Sequence, residues 1–175
     1  MQKTKKIISV ITRAIICLID GIDNRLFTQV YKRYLEHLGV IFRGEPNYIS
    51  SSAYFDGQGY ALIEIGRDVV ISREVMLLTH DYSIETALHS VGRGTRLRIN
   101  KVDGRIIIGA NTFIGARSSI LPGTTIGDNC IIGACSVVKG TIPSNSVVIG
   151  NPCKIIKTTD SLARTVLANK HIQSD

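Results

Sequence analysis

One histidine stands at the point where a regular pattern in the sequence stops. His80 follows the apolar pair Leu77-Leu78 and Thr79, and an irregular segment follows it. Histidine accepts and returns a proton at neutral pH, so a histidine in this position is a candidate general base. An isolated histidine is also a common structural residue, and His89 in the same segment is a rival for the catalytic role.

The irregular segment extends from His80 to about residue 105. Its basic residues are set among glycines: Arg93, Arg96, Arg98, Lys101 and Arg105. A segment of this length that interrupts a repeat is usually functional or disordered, and we favour a function because the repeat resumes cleanly after it. Within it, Asp81 and Arg96 are candidate substrate-binding residues.

The residues that must position His80 belong to a six-residue repeat. Six blocks fill residues 108–143, and a branched aliphatic residue opens each of them: Ile108, Ile114, Ile120, Ile126, Ile132 and Val138. Glycine follows four of these openers. The period fits neither an amphipathic helix nor an alternating strand, but it fits a short strand followed by a corner. Three blocks then make one triangular coil, in which glycine allows the bend with unusual dihedral angles.

Stacking such coils buries a column of aliphatic side chains, because no single coil can cover its own apolar face. Each isoleucine in the column is expected to contribute about 1.5–3 kcal/mol to folding. The same register holds earlier, at Ile65, Ile71 and Leu77, whereas residues 47–64 read as a degenerate first coil. The sequence therefore predicts an all-β solenoid.

These blocks resemble the hexapeptide-repeat acyltransferases, whose fold is a left-handed parallel β-helix. The resemblance covers Tyr48 to Lys157. The part from Ile132 onward, with its ending Gly150-Asn151-Pro152, is especially similar to the end of the maltose, galactoside and nodulation-factor O-acetyltransferases. The resemblance, and not the spacing, implies left-handedness. It implies a left-handed parallel β-helix with N-terminal helices and an inserted loop.

The same resemblance implies a chemistry. His80 matches the histidine that acts as general base in the family, where an acceptor hydroxyl attacks the thioester of acetyl-CoA directly. Asp56 aligns with an acidic acceptor-binding residue, although Asp56-Gly57 also reads as an ordinary turn. Some relatives carry an asparagine near the position of residues 50–52, which are serines here, so the partner that orients the histidine stays open.

Cofactor contacts also follow from the resemblance. Ala116 and Ala134 match positions that line the groove for the thioester and pantetheine. Lys139, Lys154 and Lys157 fall at or near contacts to the phosphates of coenzyme A, although exposed lysines are often merely solvated. The family implies acetyl-CoA as co-substrate, no metal, and a homotrimer with its active site in the cleft between two prisms.

We divide the chain into residues 1–46, an N-terminal helical segment, residues 47–157, the β-helix with an inserted loop at about 80–105, and a tail of residues 158–175. Residues 1–20 combine lysines with an apolar run that is too short to span a bilayer, and no cleavage site follows it. This run predicts an amphipathic helix that packs on protein or lies on a membrane. A second helix is expected from Asn24 to Leu38, ended by Gly39.

Composition excludes some functions. The net charge of +7 suggests an anionic cofactor or surface, but only 6% of residues are aromatic and no nucleic-acid-binding motif is present, so we expect no nucleic acid partner. The four cysteines form no C-x-x-C pair, which favours a reducing compartment over a disulfide framework. We expect a cytoplasmic protein, with peripheral contact at the inner membrane face as the alternative.

The resemblance thus implies an acetyl-CoA-dependent O-acetyltransferase that acts on a hydroxyl of a sugar, or of a polysaccharide or glycolipid precursor. A serine or amino-sugar acetyltransferase of the same fold is the alternative. A γ-type carbonic anhydrase needs three histidines around zinc, which His80 and His89 do not supply. A non-catalytic trimeric scaffold is the remaining alternative.

Overall fold

The computed structural model describes residues 22–95 and 101–172, together with residues 12, 14–16, 18 and 20. For residues 170–172 it describes the backbone alone. The predicted helix over residues 1–20 falls mostly outside the described residues, and so does Arg96.

Three parallel sheets form the sides of a triangular prism. The first sheet contains β1 (Ile41–Phe42), β4 (Ile63–Ile65), β9 (Ile106–Ile108), β12 (Thr125–Ile126) and β15 (Thr141–Ile142). The second contains β2 (Tyr48–Ile49), β5 (Val70–Ile71), β10 (Phe113–Ile114), β13 (Ile131–Ile132) and β16 (Ser146–Ile149), with β17 (Lys154–Thr158) antiparallel at its edge. The third contains β3 (Tyr54–Phe55), β6 (Met76–Leu77), β11 (Ser119–Ile120) and β14 (Val137–Val138).

The aliphatic residues that open the repeats form the core, as predicted. Ile114 pairs with Ile71 in the preceding coil and with Ile132 in the following one, so like residues stack from coil to coil. All six openers are at most 1% exposed. The small residues at the fifth position are also buried, and their hydroxyls bond to carbonyls: Ser118 Oγ lies 2.9 Å from the oxygen of Gly133. Burying these hydroxyls therefore does not carry the penalty of an unpaired polar group.

The glycines that follow the openers serve close packing, not unusual dihedral angles. A Cβ atom on Gly115 would lie 2.5 Å from the backbone nitrogen of Ala134, and one on Gly109 would lie 2.5 Å from Asp128 Oδ1. Neither glycine has a positive φ. The left-handed conformation falls two residues later, at Asn111 (φ 51°) and Arg117 (φ 61°). Our expectation for these glycines is corrected: they let successive coils touch backbone to backbone.

A helix closes the N-terminal end of the prism. Helix α1 (Asn24–Leu38) has the predicted bounds: Asp23 caps its first turn, and Gly39 ends it with a φ of 116°. Its buried residues include Phe27, Tyr31 and Leu35, which belong to the same core as the β-helix. Strand β1 already pairs with β4, on the N-terminal side of the boundary that we placed at residue 46.

The predicted loop over residues 80–105 contains regular structure. Strands β7 (His80–Asp81) and β8 (Val102–Asp103) pair as an antiparallel ribbon, and helix α2 (Ser83–Ser90) follows β7. Glu85, only 2% exposed, accepts a hydrogen bond from the backbone nitrogen of Thr95. The Nε2 atom of His89 lies 3.4 Å from Glu85 Oε1 and 3.0 Å from the Thr95 oxygen. His89 therefore contributes to the contacts that hold the insert together.

The C-terminal tail forms helix α3 (Thr159–Ile172), whose described side chains are almost all exposed. A turn of three residues, Tyr60–Leu62, completes the secondary structure of the first coil as a 3₁₀ helix. Within the described part of the chain, no helix is both long and apolar enough to cross a bilayer.

Candidate active site

The candidate site lies at the corner where the third sheet leads into the first, which we call the His80 edge. On successive coils the described part of this corner consists of residues 56–62, residues 78–95 and 101–105, residues 121–124 and residues 139–140. Both Asp56 and His80 lie on it, because the parallel register places Phe55 next to Leu77.

At the centre of the site, the Nδ1 atom of His80 is hydrogen-bonded to Oδ2 of Asp56. The side chain of Asp56 is 1% exposed and that of His80 is 20% exposed. An ionised carboxylate only accepts hydrogen bonds, so Nδ1 carries the hydrogen, and Nε2 is the ring nitrogen left to face a ligand. This arrangement of base and orienting partner is the one that activates a hydroxyl nucleophile.

Asp56 is itself fixed by three further hydrogen bonds. The backbone nitrogen and the hydroxyl of Thr79 donate to its Oδ2 at 3.0 and 2.7 Å, and the backbone nitrogen of Gln58 donates to its Oδ1 at 3.1 Å. Burial alone would raise the pKa of Asp56, but the hydrogen bonds from Thr79, Gln58 and His80 outweigh it and lower the pKa below its ordinary value. The carboxylate is therefore ionised at neutral pH.

Gly59 makes this packing possible. A Cβ atom at this position would lie 2.2 Å from Thr79 Oγ1, so only glycine lets the first coil approach Thr79 closely enough for the Asp56–Thr79 contact. Gly59 begins the 3₁₀ turn of residues 60–62, which carries the chain from Asp56 back to the first sheet.

Charged residues surround the pair. Asp81 Oδ1 accepts a hydrogen bond of 2.8 Å from the backbone nitrogen of Ser83 at the start of α2. The pKa of Asp81 is lowered, first by this bond and by the Ser83 hydroxyl, and further by its electrostatic interaction with Lys139. Lys139, which we predicted to contact the cofactor, is thus close enough to Asp81 to lower its pKa. Lys139 lies on the His80 edge.

The other predicted cofactor residues lie elsewhere on the prism. Ala116, partly buried, and Ala134, exposed, occupy the corner between the second and third sheets. Lys154 and Lys157 are exposed on β17, at the edge of the second sheet. The structure therefore brings His80, Asp56, Asp81 and Lys139 to one edge of the prism. The two alanines and the two lysines of β17 lie on other parts of it.

Sequence reasoning missed three elements of the site. It aligned Asp56 with acceptor binding, whereas the geometry favours its role as the partner that orients His80. It did not single out Thr79 or Gly59. A count along the coils would have placed Asp56 beside the residues around Leu78, but the first coil departs from the six-residue period and hides this register.

No group of three or more histidine, cysteine, aspartate or glutamate side chains with the arrangement of a metal site occurs among the described residues. The chemistry that these residues offer is proton transfer at His80 with electrostatic support from Asp56.

Comparisons with known proteins agree with this architecture. The model of the bacterial transferase hexapeptide (six repeats) matches residues 105–140. YJL218W of Saccharomyces cerevisiae, named as an acetyltransferase, is 39% identical over 142 residues, which cover 77% of this chain and 72% of that protein. WbbJ of Escherichia coli K12, named for lipopolysaccharide biosynthesis O-acetyl transfer, is 35% identical over 122 residues, which cover 68% of this chain and 61% of WbbJ. The matching Staphylococcus aureus relatives are covered over 38% of their length.

Among solved structures, a maltose O-acetyltransferase from Clostridium difficile 630 is similar with a TM-score of 0.53 and 27% identity. The likeness covers 86% of this chain and 88% of that chain. Together with the three parallel sheets, it confirms the predicted left-handed parallel β-helix. The repeat, the fold and the extent of the similarity to the yeast relative show that this chain belongs to the hexapeptide-repeat acetyltransferase family.

Proposed function

We propose that this protein transfers the acetyl group of acetyl-CoA to a hydroxyl of a sugar, or of a polysaccharide or glycolipid precursor. The observation that carries the proposal is the hydrogen bond between His80 and the buried Asp56. The His80 side chain is still 20% exposed. A histidine that is oriented from one side and accessible from the other has the geometry of a general base.

In this proposal His80 moves one proton in two steps. Its Nε2 atom removes the proton of the acceptor hydroxyl as the oxygen attacks the thioester carbonyl. The bond between carbon and sulfur then breaks, and His80 returns the proton to the departing thiolate. Asp56 stays ionised throughout and stabilises the imidazolium that forms between the two steps. The products are the O-acetylated acceptor and free coenzyme A.

A homotrimer would complete the site. Ala116 and Ala134 lie on one corner of the prism and His80 lies on the next, so in this proposal a neighbouring subunit brings the two corners to the same ligand. We propose that the His80 edge of one subunit faces the Ala116–Ala134 edge of its neighbour. Acetyl-CoA would bind between them, with Lys139, Lys154 and Lys157 near its phosphates.

The proposal that the acceptor is a sugar is supported by the charged residues of the insert and by the names of the relatives. Asp81 lies beside His80, and Arg96 belongs to the same insert, although outside the described residues. WbbJ is named for lipopolysaccharide biosynthesis and the Clostridium difficile protein for maltose, and both names specify O-acetyl transfer. We propose a cytoplasmic site of action, with residues 1–20 packed on the protein or resting on the inner membrane face.

One experiment tests the proposal directly. The purified protein is incubated with acetyl-CoA and a panel of glycosides, serine and glucosamine, and thiol release is recorded while products are analysed by mass spectrometry. We expect a mass increase of one acetyl group on a glycoside, with ester linkage shown by its release in mild base. Transfer only to an amine, or no transfer to any glycoside, would overturn the proposed sugar O-acetylation. Light scattering of the same sample tests the trimer.

A further inference from the structure

The ribbon made by β7 and β8 gathers four side chains on one face. His80 lies directly opposite Asp103 in the antiparallel register. Opposed residues of such a pair project to the same face, and side chains alternate along each strand. Tyr82 follows β7 and Lys101 precedes β8, and their contacts place them on this face: the ring of Tyr82 lies against that of His80, and Lys101 forms an ion pair with Asp103.

Two contacts position Tyr82 on this face. Its ring meets that of His80 edge to face, with centroids 5.1 Å apart and an angle of 75° between the planes. Its hydroxyl donates a hydrogen bond of 3.2 Å to Gln58 Oε1, and the backbone nitrogen of Gln58 in turn bonds to Asp56. The residue is nevertheless 38% exposed. A fixed, partly exposed ring beside a general base offers an apolar wall to the carbon–hydrogen face of a sugar.

Lys101 and Asp103 provide polar groups on the same face. Lys101 Nζ lies 2.8 Å from Asp103 Oδ1, and the two side chains are 30% and 47% exposed. The ammonium group is a donor and the carboxylate is an acceptor. Two neighbouring hydroxyls of a pyranose ring, each of which both donates and accepts, match such a pair.

The charges around this face do not favour an anionic ligand. The described charged groups on and beside the ribbon are mixed in sign: they are the carboxylates of Asp56, Asp81 and Asp103 and the cationic groups of Lys101, Lys139 and Arg105, the last of which lies 3.6 Å from Glu64. Asp103 lies directly across from His80, where it would repel a carboxylate or phosphate bound at the reacting position. A neutral polyhydroxyl ligand meets no such penalty.

We propose that Tyr82, Lys101 and Asp103 form the acceptor subsite, and that it takes a neutral pyranoside with a free hydroxyl beside the one that is acetylated. The sugar lies with a carbon–hydrogen face against Tyr82, and its second hydroxyl bonds to the Lys101–Asp103 pair. This inference rests on the proposed function, because it places the acceptor of that reaction.

The test combines substitutions with deoxy sugars. Wild-type protein and the variants Asp103→Asn, Lys101→Gln and Tyr82→Ala are assayed with a neutral methyl glycoside, its monodeoxy analogues and the matching uronic acid. For each variant we expect the acceptor KM to rise roughly 10–100-fold, while the acetyl-CoA KM stays within about twofold. Wild type should reject one monodeoxy analogue by a similar factor, and Asp103→Asn should lose most of this discrimination.

Two controls separate the outcomes. Asp160→Asn removes a carboxylate from an exposed ion pair with Arg164 on α3 and should leave every KM unchanged. Tyr82→Phe keeps the ring and should retain more acceptor affinity than Tyr82→Ala. If wild type acetylates a glycoside but the ribbon variants keep its acceptor KM, or if the uronic acid is the better acceptor, the subsite is wrong while the proposed function stands. If wild type acetylates no glycoside, both are overturned.

Discussion

The Nδ1 atom of His80 is hydrogen-bonded to Oδ2 of Asp56, a residue on the preceding coil of the β-helix. The pair therefore exists only when two coils stack in the correct register, so the candidate catalytic centre and the core of the protein depend on the same packing. Four of the following predictions concern this pair and its support, and one concerns the core.

Replacing His80 by alanine should lower kcat by roughly 10²–10⁴-fold, because the proposal assigns removal of the hydroxyl proton to this side chain. The melting temperature should change little, since the ring is partly exposed. Thiol release with acetyl-CoA and the acetylated glycoside measures the effect. His37→Ala, which removes an exposed histidine from α1, is the matched control. Turnover near the wild-type level in His80→Ala would exclude His80 as the base.

Replacing Asp56 by asparagine should reduce kcat by roughly 10²–10⁴-fold while the KM for acetyl-CoA changes little. The neutral amide cannot stabilise the imidazolium, and its NH₂ group can favour the wrong tautomer of His80. Nitrogen chemical shifts of the imidazole would report the tautomer in both proteins. An unchanged tautomer together with unchanged kcat would show that Asp56 does not orient His80.

The stability contributed by Asp56 should depend on pH. Its pKa is lowered in the folded protein, from an ordinary value of 3.8, so the unfolded chain binds a proton more readily than the folded one. The contribution is therefore fully present above the ordinary pKa and is lost as the pH falls through the lower folded pKa. Urea unfolding at pH 6 and at pH 3 should show a smaller difference between wild type and Asp56→Asn at pH 3. A difference that grows on acidification would contradict the direction of the shift.

Replacing Gly59 by alanine should impair both activity and stability. The new methyl group would collide with the Thr79 side chain and displace it from Asp56, and we expect kcat to fall at least about tenfold. Gly57→Ala is the matched control on the same turn, because its Cβ atom would lie at an ordinary 3.6 Å from Tyr60 Oη. Equal effects of the two substitutions would indicate a general effect on the turn rather than a contact with Thr79.

Replacing Ile120 by aspartate should unfold the coil, because the fully buried position offers the charge no partner. We expect a loss of more than about 4 kcal/mol in the free energy of unfolding, measured by denaturation or seen as insoluble protein. Ser119→Asp tests the neighbouring residue, whose side chain is only partly buried on the outer side of the same strand. Comparable losses at the two positions would contradict the assignment of inward and outward faces.

The repeat allowed the core to be predicted because it is a local property of the sequence. Every sixth residue from Ile108 to Val138 is aliphatic, and this spacing is enough to predict that these residues are buried. The short strand at each of them follows from the same spacing. Helix α1 could be predicted in the same way, since the spacing of its apolar residues and the glycine that ends it lie within the segment itself. Handedness has no such local signature and came from resemblance.

The site was predicted only in part because its contacts join distant residues. His80 was visible as the end of a periodic run, but its bond to Asp56 depends on the register of an irregular first coil. Helix α2 was missed because its eight residues are held by a tertiary contact between Glu85 and Thr95. The role of the glycines that follow the openers was predicted wrongly, because the backbone atoms that they contact belong to the next coil.

The backbone contact between coils also makes the three corners of the prism unequal. At the corners on either side of the second sheet, Gly66, Gly109 and Gly115 leave no space for even a methyl group. At the third corner the equivalent positions carry Asp56, Leu78, Leu121 and Lys139. The glycine positions on these two edges therefore accept no larger residue, whereas each of the four equivalent positions at the third corner carries a side chain. Substitution at the third corner can thus change the groups around His80 while the contacts between the coils at those glycines stay as they are.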